Sequence, residues 1–304
     1  MWVWRDWLIR SLNSDMPFDR FVIEQMAGDL LPDRDFYTQV ATGFNRNHRI
    51  NSEGGSIPDE WIVEYVADRV ETMGTMFLGL TLTCARCHDH KYDPIGQKDF
   101  YKLFAFFNSI DELSGEFNNE DGRAHDLKPM LEFGTPVQYR RGEALRAQLE
   151  VMKEELKAYE EKLQASQPEW EASISEEALA ELTPGQRAIL ELFPQERHEA
   201  QHRTIRRAYF NSDIGHQERK KGREAVEKLE PEIPSTLIMK ERSEPRPTHV
   251  LLGGDFLRKG VAVGPGTLSV LPPLPAKKRY SRLDLARWLV DDRNPLTPRV
   301  TVNR

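Results

Sequence analysis

The segment Cys84-Ala85-Arg86-Cys87-His88 contains the residues whose types and spacing are best suited to chemistry. The chain has 304 residues and only two cysteines, both in this segment, and a histidine directly follows the second. A Cys-x-x-Cys-His segment is the attachment signature of c-type haem. Its thiols form thioethers with one porphyrin, and its histidine supplies the proximal ligand of the iron. The sequence therefore predicts a covalent haem c, with thioethers at Cys84 and Cys87 and His88 on the iron.

The same pair of cysteines has other interpretations. A Cys-x-x-Cys pair also occurs as a redox dithiol or as half of a zinc site. A thioredoxin-like dithiol requires a βαβ context, and the short apolar run before Cys84 has no such pattern around it. A zinc site needs two further ligands, of which His90 is one candidate, but no second pair of cysteines or histidines lies nearby. The main alternative to haem is therefore a binding or scaffold module with a structural or metal-binding pair of cysteines.

Other side chains are candidates for further contacts with a haem. His48 lies in a polar loop beside a Gly-Gly pair and is the first candidate for a distal ligand. A hydrogen bond to the backbone is the alternative role for such a loop histidine. Arg86 and Lys91 are candidate partners of the propionates, because that role needs a cation near the porphyrin edge. Three polar residues follow the motif closely: Asp89, His90 and Asp93. They form a polar shell that orients the motif histidine or binds a cation, or they cap the loop.

A second motif, His198-Glu199-Ala200-Gln201-His202, lies in the middle of the chain. It matches the H-E-x-x-H pattern of zinc metallopeptidases, in which two histidines on one helix face bind zinc and the glutamate acts as general base. The surrounding segment is highly charged, unlike the apolar helix of a buried zinc site. A solvated helix that happens to contain two histidines is the favoured interpretation. A zinc hydrolase at His198 and His202 is therefore the third function considered.

Composition and charge limit the classes of partner. Hydrophobic residues make up 39% of the sequence, charged residues make up 30%, and the formal net charge is −7. This balance argues against a nucleic-acid partner, which requires a basic face. No apolar stretch is long enough to span a bilayer, and the N-terminus lacks the apolar region of a signal peptide. Covalent haem attachment normally takes place outside the cytoplasm, so we expect a fragment of a longer precursor that is periplasmic or secreted.

Hydrophobic periodicity predicts a mainly α fold in three parts. Apolar residues at three- and four-residue spacing predict short helices over 1–113, and the strongest helix begins at Pro58 and leads to the Cys84 motif. The charged middle, 114–232, has a heptad-like stripe and is predicted to be a helical hairpin or coiled-coil arm. From 233 to 304, short β-like runs and Gly-Pro turns precede a final helix.

Several segments resemble the planctomycete cytochrome-c-like domain family. The clearest are Gly43-Phe44-Asn45-Arg46, Glu53-Gly54-Gly55, Val66-Ala67-Asp68-Arg69-Val70 and the run from Cys84 to Ile95. The tail resembles the start of the partner domain that habitually follows, notably in Gly264-Pro265-Gly266 and Asn294-Pro295-Leu296-Thr297. The resemblance implies a cytochrome-c-like domain over about 1–113, the start of the partner domain over about 233–304, and a secreted or periplasmic multidomain protein. Together with the haem motif, it leads us to expect electron transfer or a haem-linked redox step, with a redox partner that the sequence does not identify.

Overall fold

The computed structural model describes residues 1–50, 57–112, 128–229 and 233–303. The chain is mainly α, as predicted: 62% is helical, with 12 helices and two small antiparallel sheets among the described residues. The helices are α1 (Trp2–Asn13), α2 (Phe18–Ala27), α3 (Phe36–Ala41), α4 (Pro58–Met73), α5 (Gln97–Phe107), α6 (Pro136–Ser173), α7 (Glu176–Glu181), α8 (Pro184–Leu190), α9 (Glu199–Ser212), α10 (Ile214–Glu227), α11 (Arg282–Leu289) and α12 (Thr297–Asn303). The strands are β1 (Met130–Glu132), β2 (Ser235–Leu237), β3 (Thr248–Leu251) and β4 (Lys259–Val263).

The chain divides into two compact units. The first unit comprises Met1–Glu132 together with Ser235–Arg304, and the second unit comprises Phe133–Pro234. The N-terminal segment and the tail therefore share a unit, although the sequence predicts them as parts of separate domains. The domain boundaries near 113 and 233 stay a prediction, because a unit of packing is not by itself a domain.

Helix α4 leads the chain to the cysteine motif. Pro58 stands in its first turn, where a backbone N–H has no helical partner to lose. Acidic side chains in the same turn complement the positive end of the helix dipole. After Met73 the backbone continues through a π-helical turn, Gly74–Leu78, and ends at Gly79 with a φ of 64°. This left-handed conformation favours glycine and lets the chain reverse toward the motif.

The core of the first unit combines helices from both ends of the chain. Its most buried side chains from α5 and α11 are Phe100, Leu103, Phe107, Leu285 and Leu289, each with 0% exposure. Burying one such side chain stabilises a fold by roughly 1.5–3 kcal/mol. Arg282, also fully buried, donates to Asp29 Oδ2 at 2.6 Å and to the carbonyl of Met26 at 2.9 Å. The start of α11 is thereby held on the end of α2.

Two short antiparallel sheets complete the first unit. Strand β1 pairs with β2, with Met130 opposite Leu237. Strand β3 pairs with β4, with Thr248 opposite Val263 and an irregularity in register before Leu251. Directly after β3 the chain turns through glycines, and this turn lies against the cysteine motif.

Helix α6 organises the second unit. A capping box begins the helix, because Thr135 Oγ1 accepts from the Gln138 N–H at 3.3 Å and the Thr135 N–H donates to Gln138 Oε1 at 2.8 Å. Its buried leucines recur every seven residues: Leu149, Leu156 and Leu163. Helices α9 and α10 pack against α6. The predicted helical arm is confirmed, and its heptad stripe is the face covered by these returning helices.

Candidate functional site

The cysteine motif folds as a short helical turn, which we call the cysteine turn (residues 84–88). Thr83–Arg86 forms a 3-10 helix. The N–H groups of Cys87 and His88 both donate to the carbonyl of Cys84, at 3.2 and 3.3 Å. Residues three and four positions apart on such a turn are neighbours on one side. Cys84, Cys87 and His88 therefore share one side of the turn, as attachment to a single porphyrin requires.

The two sides of the cysteine turn have different surroundings. Leu82, just before it, and Ala85, within it, are 0% exposed and belong to the core of the first unit. Cys84 and Cys87 are free thiols on exposed residues, and His88 is exposed as well. Burial of Ala85 fixes the turn to the core and leaves the reactive groups outside. Both sulfurs are consequently displayed at the surface.

A hydrogen bond orients the ring of His88. Its Nδ1 lies 2.7 Å from the carbonyl oxygen of Asp89. A carbonyl only accepts, so this contact places a proton on Nδ1. The contact also fixes the orientation of the His88 ring.

Hydrogen bonds hold the cysteine turn to α5 and to the end of β3. The carbonyl of Arg86 accepts from Gln97 Nε2 and from the Tyr101 hydroxyl, both at 3.0 Å. Gln97 Nε2 also donates to the carbonyl of Leu251 at 2.9 Å. Burial raises the pKa of Tyr101 to about 12, so its hydroxyl stays protonated as a donor. Asp89 Oδ1 accepts the Gln97 N–H at 2.7 Å, at the positive end of α5.

The loop after the turn is capped by its own side chains. His90 Nδ1 accepts the Asp93 N–H at 2.8 Å. The backbone N–H of His90 donates to the carbonyl of Ile95 at 2.8 Å. The side chains of Asp89 and His90 therefore accept backbone N–H groups near the loop, whereas the backbone carbonyl of Asp89 contacts the His88 ring. Among the described residues, no group of three or more His, Cys, Asp or Glu side chains is arranged to hold a metal ion.

Cys87 lies against the turn that follows β3. Gly254 in that turn has a φ of 77°. A Cβ on Gly254 would lie 2.7 Å from Cys87 Sγ, closer than real side chains approach. Both the backbone conformation and the contact therefore require glycine at this position. The turn covers one side of the Cys87 thiol and restricts where it points.

Arg86 pairs with a carboxylate of the protein itself. Its guanidinium donates two hydrogen bonds to the carboxylate of Glu64 on α4, one of them at 3.1 Å. The hydrogen bond with Glu64 raises the pKa of Arg86. Glu64 also accepts from Arg49 at 2.7 Å. Arg86 fastens the cysteine turn to α4 through this ion pair, and its propionate role stays a prediction. Lys91 is exposed, 5.2 Å above the ring of Tyr92, and its propionate role stays a prediction.

Both ring nitrogens of His48 have partners outside the cysteine turn. Its Nε2 lies 2.7 Å from Arg69 Nη2, and its Nδ1 lies 2.6 Å from the carbonyl of Arg49. The side chain is 2% exposed. Burial, followed by the charge of Arg69, lowers the pKa of His48 to about 4, so the ring is neutral near pH 7. With both nitrogens engaged, His48 is not free to serve as a distal ligand here. Its contact with a backbone carbonyl matches the alternative role.

The partners of His48 form a buried charge network that the sequence did not predict, made of Arg46, His48, Arg69 and Glu112. Glu112 Oε2 accepts from Arg46 Nη1 at 2.9 Å and from Arg69 Nη2 at 2.7 Å. Glu112 is 2% exposed. Burial alone raises its pKa, but the two arginines outweigh that effect and hold the pKa at about 2. The one signal in the sequence was Arg69, a charge within the apolar stripe of α4.

The second motif is split by the start of α9. His198 is the N-cap, with a ψ of 166°, so its backbone does not continue the helix. Its N–H donates to the Gln201 side chain at 3.0 Å, and the residue is exposed. His202 lies in the first turn, half-buried, and lines a cavity together with Arg206. His198 therefore lies at the end of the helix and not within it, and the zinc role of His198 and His202 stays a prediction.

Fold and site together define a mainly α chain that displays a Cys-x-x-Cys-His turn at its surface. Residues 1–112 match the family model PSCyt2, described as a protein of unknown function (DUF1549). The match supports the domain family over this segment, which contains the cysteine turn and ends at Glu112 of the buried charge network. No curated protein and no solved structure matches the chain. Among the helices of the described residues, none has the length and apolar character needed to cross a membrane.

Proposed function

We propose that Cys84, Cys87 and His88 attach a c-type haem, and that the protein takes part in electron transfer or a haem-linked redox step. One observation supports this above the others. A single helical turn places both thiols and the imidazole on one exposed side, with Ala85 buried behind them. Two thioethers and one axial bond must reach the same porphyrin, and this arrangement fits that requirement.

The other residues of the site position these groups. A bound haem supplies a one-electron carrier. The carbonyl of Asp89 orients the imidazole of His88 through the contact with Nδ1. The ion pair between Arg86 and Glu64 and the donors from α5 hold the turn in place. Because haem is attached outside the cytoplasm, the proposal includes a periplasmic or secreted location.

A second candidate is a binding or scaffold module without haem, in which the cysteines are structural or bind a metal. The positions of Arg86 and His48 favour it, because both side chains predicted to assist a haem have partners elsewhere. In this case Cys87 and the glycine turn after β3 form a structural contact. The two candidates differ in one measurable property, which is covalent attachment of haem.

The test is expression of the chain in a periplasm that contains haem-attachment machinery. We expect the pyridine haemochrome spectrum of haem c and a mass increase of one haem per chain. Cys84→Ser with Cys87→Ser should abolish covalent attachment, whereas His198→Ala, at an exposed histidine elsewhere, should leave it unchanged. Haem-free protein from cells that mature a co-expressed c-type cytochrome would reject the proposal and favour the second candidate.

A further inference from the structure

The second unit contains a cavity of about 330 Å³ that is lined mainly by cations. The charged groups around it are Arg203, Arg206, Arg207, Lys220, Arg223 and Glu160. The lining thus combines five cationic side chains with one carboxylate. The whole chain has a net charge of −7, so its composition does not lead us to expect a local excess of cations. We call this feature the cationic cavity.

The spacing of the cations along α9 and α10 places them around the same cavity. Arg203, Arg206 and Arg207 stand at positions i, i+3 and i+4 of α9, on one face of that helix. Lys220 and Arg223 stand three residues apart on α10. Helices α9 and α10 pack against each other and against α6. The cationic faces of two neighbouring helices thus border the same space.

The charges of the cationic cavity are not balanced within the structure. The nearest carboxylate to Arg203 is an exposed oxygen of Glu199 at 4.0 Å, and such surface contacts contribute little. Arg206, Lys220 and Arg223 form no ion pair with the described residues. Like charges held close together repel one another. The chain has 49 acidic residues, yet ion pairs among the described residues do not balance these cations. A bound anion would remove this repulsion.

Three buried polar atoms at the cavity lack hydrogen-bond partners: Arg206 Nε, Arg223 Nε and His216 Nδ1. His216 is only 5% exposed, and its Nε2 lies 2.9 Å from Glu160 Oε1. The backbone N–H of His216 donates to Asp213 Oδ1 at 2.6 Å, and this hydrogen bond caps the first turn of α10. Buried polar groups are normally satisfied, so an orphaned set beside a cavity indicates a missing partner. An oxyanion supplies acceptors for the unpartnered guanidinium N–H groups.

We propose that the cationic cavity binds a ligand with at least two linked oxyanion groups of the phosphate or sulfate type. Planar guanidinium groups match tetrahedral oxyanions in geometry as well as charge. The volume of about 330 Å³ and the excess of positive charge fit more than one such group. Phe210 and Leu156 in the lining supply apolar contact for a carbon skeleton attached to them.

The test is calorimetric titration of pyrophosphate into the full chain at fixed ionic strength. We expect saturable binding of one pyrophosphate per chain. The double variant Arg206→Gln/Arg223→Gln should weaken binding by at least about tenfold. The matched control Arg140→Gln/Arg141→Gln removes the same charge from exposed positions on α6 and should bind as the wild type does. Equal weakening in both variants would mean non-specific attraction to a positive protein surface and would overturn the proposal.

Thermal unfolding separates a binding role from a structural one. Without ligand, Arg206→Gln/Arg223→Gln should melt at the same temperature as the wild type or higher, because repulsion is relieved. Pyrophosphate should raise the melting temperature of the wild type and of the control, but not of the double variant. Inorganic sulfate that binds as tightly as pyrophosphate would overturn the requirement for two linked groups. Absence of saturable pyrophosphate binding to the wild type would overturn the site itself.

Discussion

The buried charge network and the cysteine turn differ in whether their polar groups are paired inside the protein or exposed at its surface. In the network, Glu112 accepts from two arginines, and both nitrogens of His48 have partners. In the cysteine turn, backbone and flanking groups are held firmly while both thiols are free and exposed. Where buried charges are paired with one another inside the protein, we infer a structural role. Where reactive groups are displayed by a rigid support, we infer a binding role.

The largest expected effect comes from breaking the charge network. Glu112→Gln removes the carboxylate that balances two buried arginines, and loss of one partner of a buried ion pair costs roughly 3–5 kcal/mol. We expect a loss of this size in the free energy of unfolding, measured by urea titration. Glu132→Gln, at an exposed position of β1, should leave the stability unchanged. Equal stability of the two variants would show that the network does not support the fold.

Acidification should weaken the network in two stages. His48 has a folded pKa of about 4 against an ordinary value of 6.5, so its stabilisation is present above pH 6.5 and is lost as the pH falls toward 4. Glu112 has a folded pKa of about 2 against 4.5, and its contribution is lost between these values. The His48 stage corresponds to up to about 3 kcal/mol. Urea midpoints between pH 7 and 4 should fall for the wild type, and His48→Gln should flatten this region.

A smaller effect should come from the glycine turn against Cys87. Gly254→Ala adds a Cβ at 2.7 Å from Cys87 Sγ, whereas Gly253→Ala, with a similar φ of 67°, meets nothing within 4 Å. Both variants strain a left-handed backbone, at a cost of about 1 kcal/mol. Only Gly254→Ala should in addition change the reaction rate of Cys87 with a thiol reagent. Equal rates in the two variants would show that the turn does not restrict the thiol.

Local patterns in the sequence predicted the elements well. The leucines of α6 at seven-residue spacing define its buried face, and Pro58 marks the first turn of α4. The spacing of Cys84, Cys87 and His88 predicted that they would act together, and a helical turn does place them on one side. These features depend on neighbours a few residues apart, which is why periodicity and spacing are sufficient to find them.

The partners of individual charges were not predictable in the same way. His48 and Arg69 are 21 residues apart, and Arg46 and Glu112 are 66 apart. Their pairing depends on how α4 packs against the rest of the first unit. Arg86 likewise pairs with Glu64 on α4, 22 residues away in the sequence. Residue type indicates what a side chain can bind, and tertiary packing decides which partner it meets.

The smallest effect on stability should come from the cysteine turn itself. Cys84 is exposed, and Cys84→Ser changes one atom at the surface, so the free energy of unfolding should change by no more than about 0.5 kcal/mol. The matched buried change is Ala85→Ser, which places a hydroxyl into the core and should cost more, at least about 1 kcal/mol. Urea titration of the haem-free protein measures both values. If Cys84 is dispensable for folding and the neighbouring Ala85 is not, the core holds the turn in place while the thiol stays free to bind. A large loss of stability in Cys84→Ser would instead show that the cysteine supports the fold, as the buried charge network does.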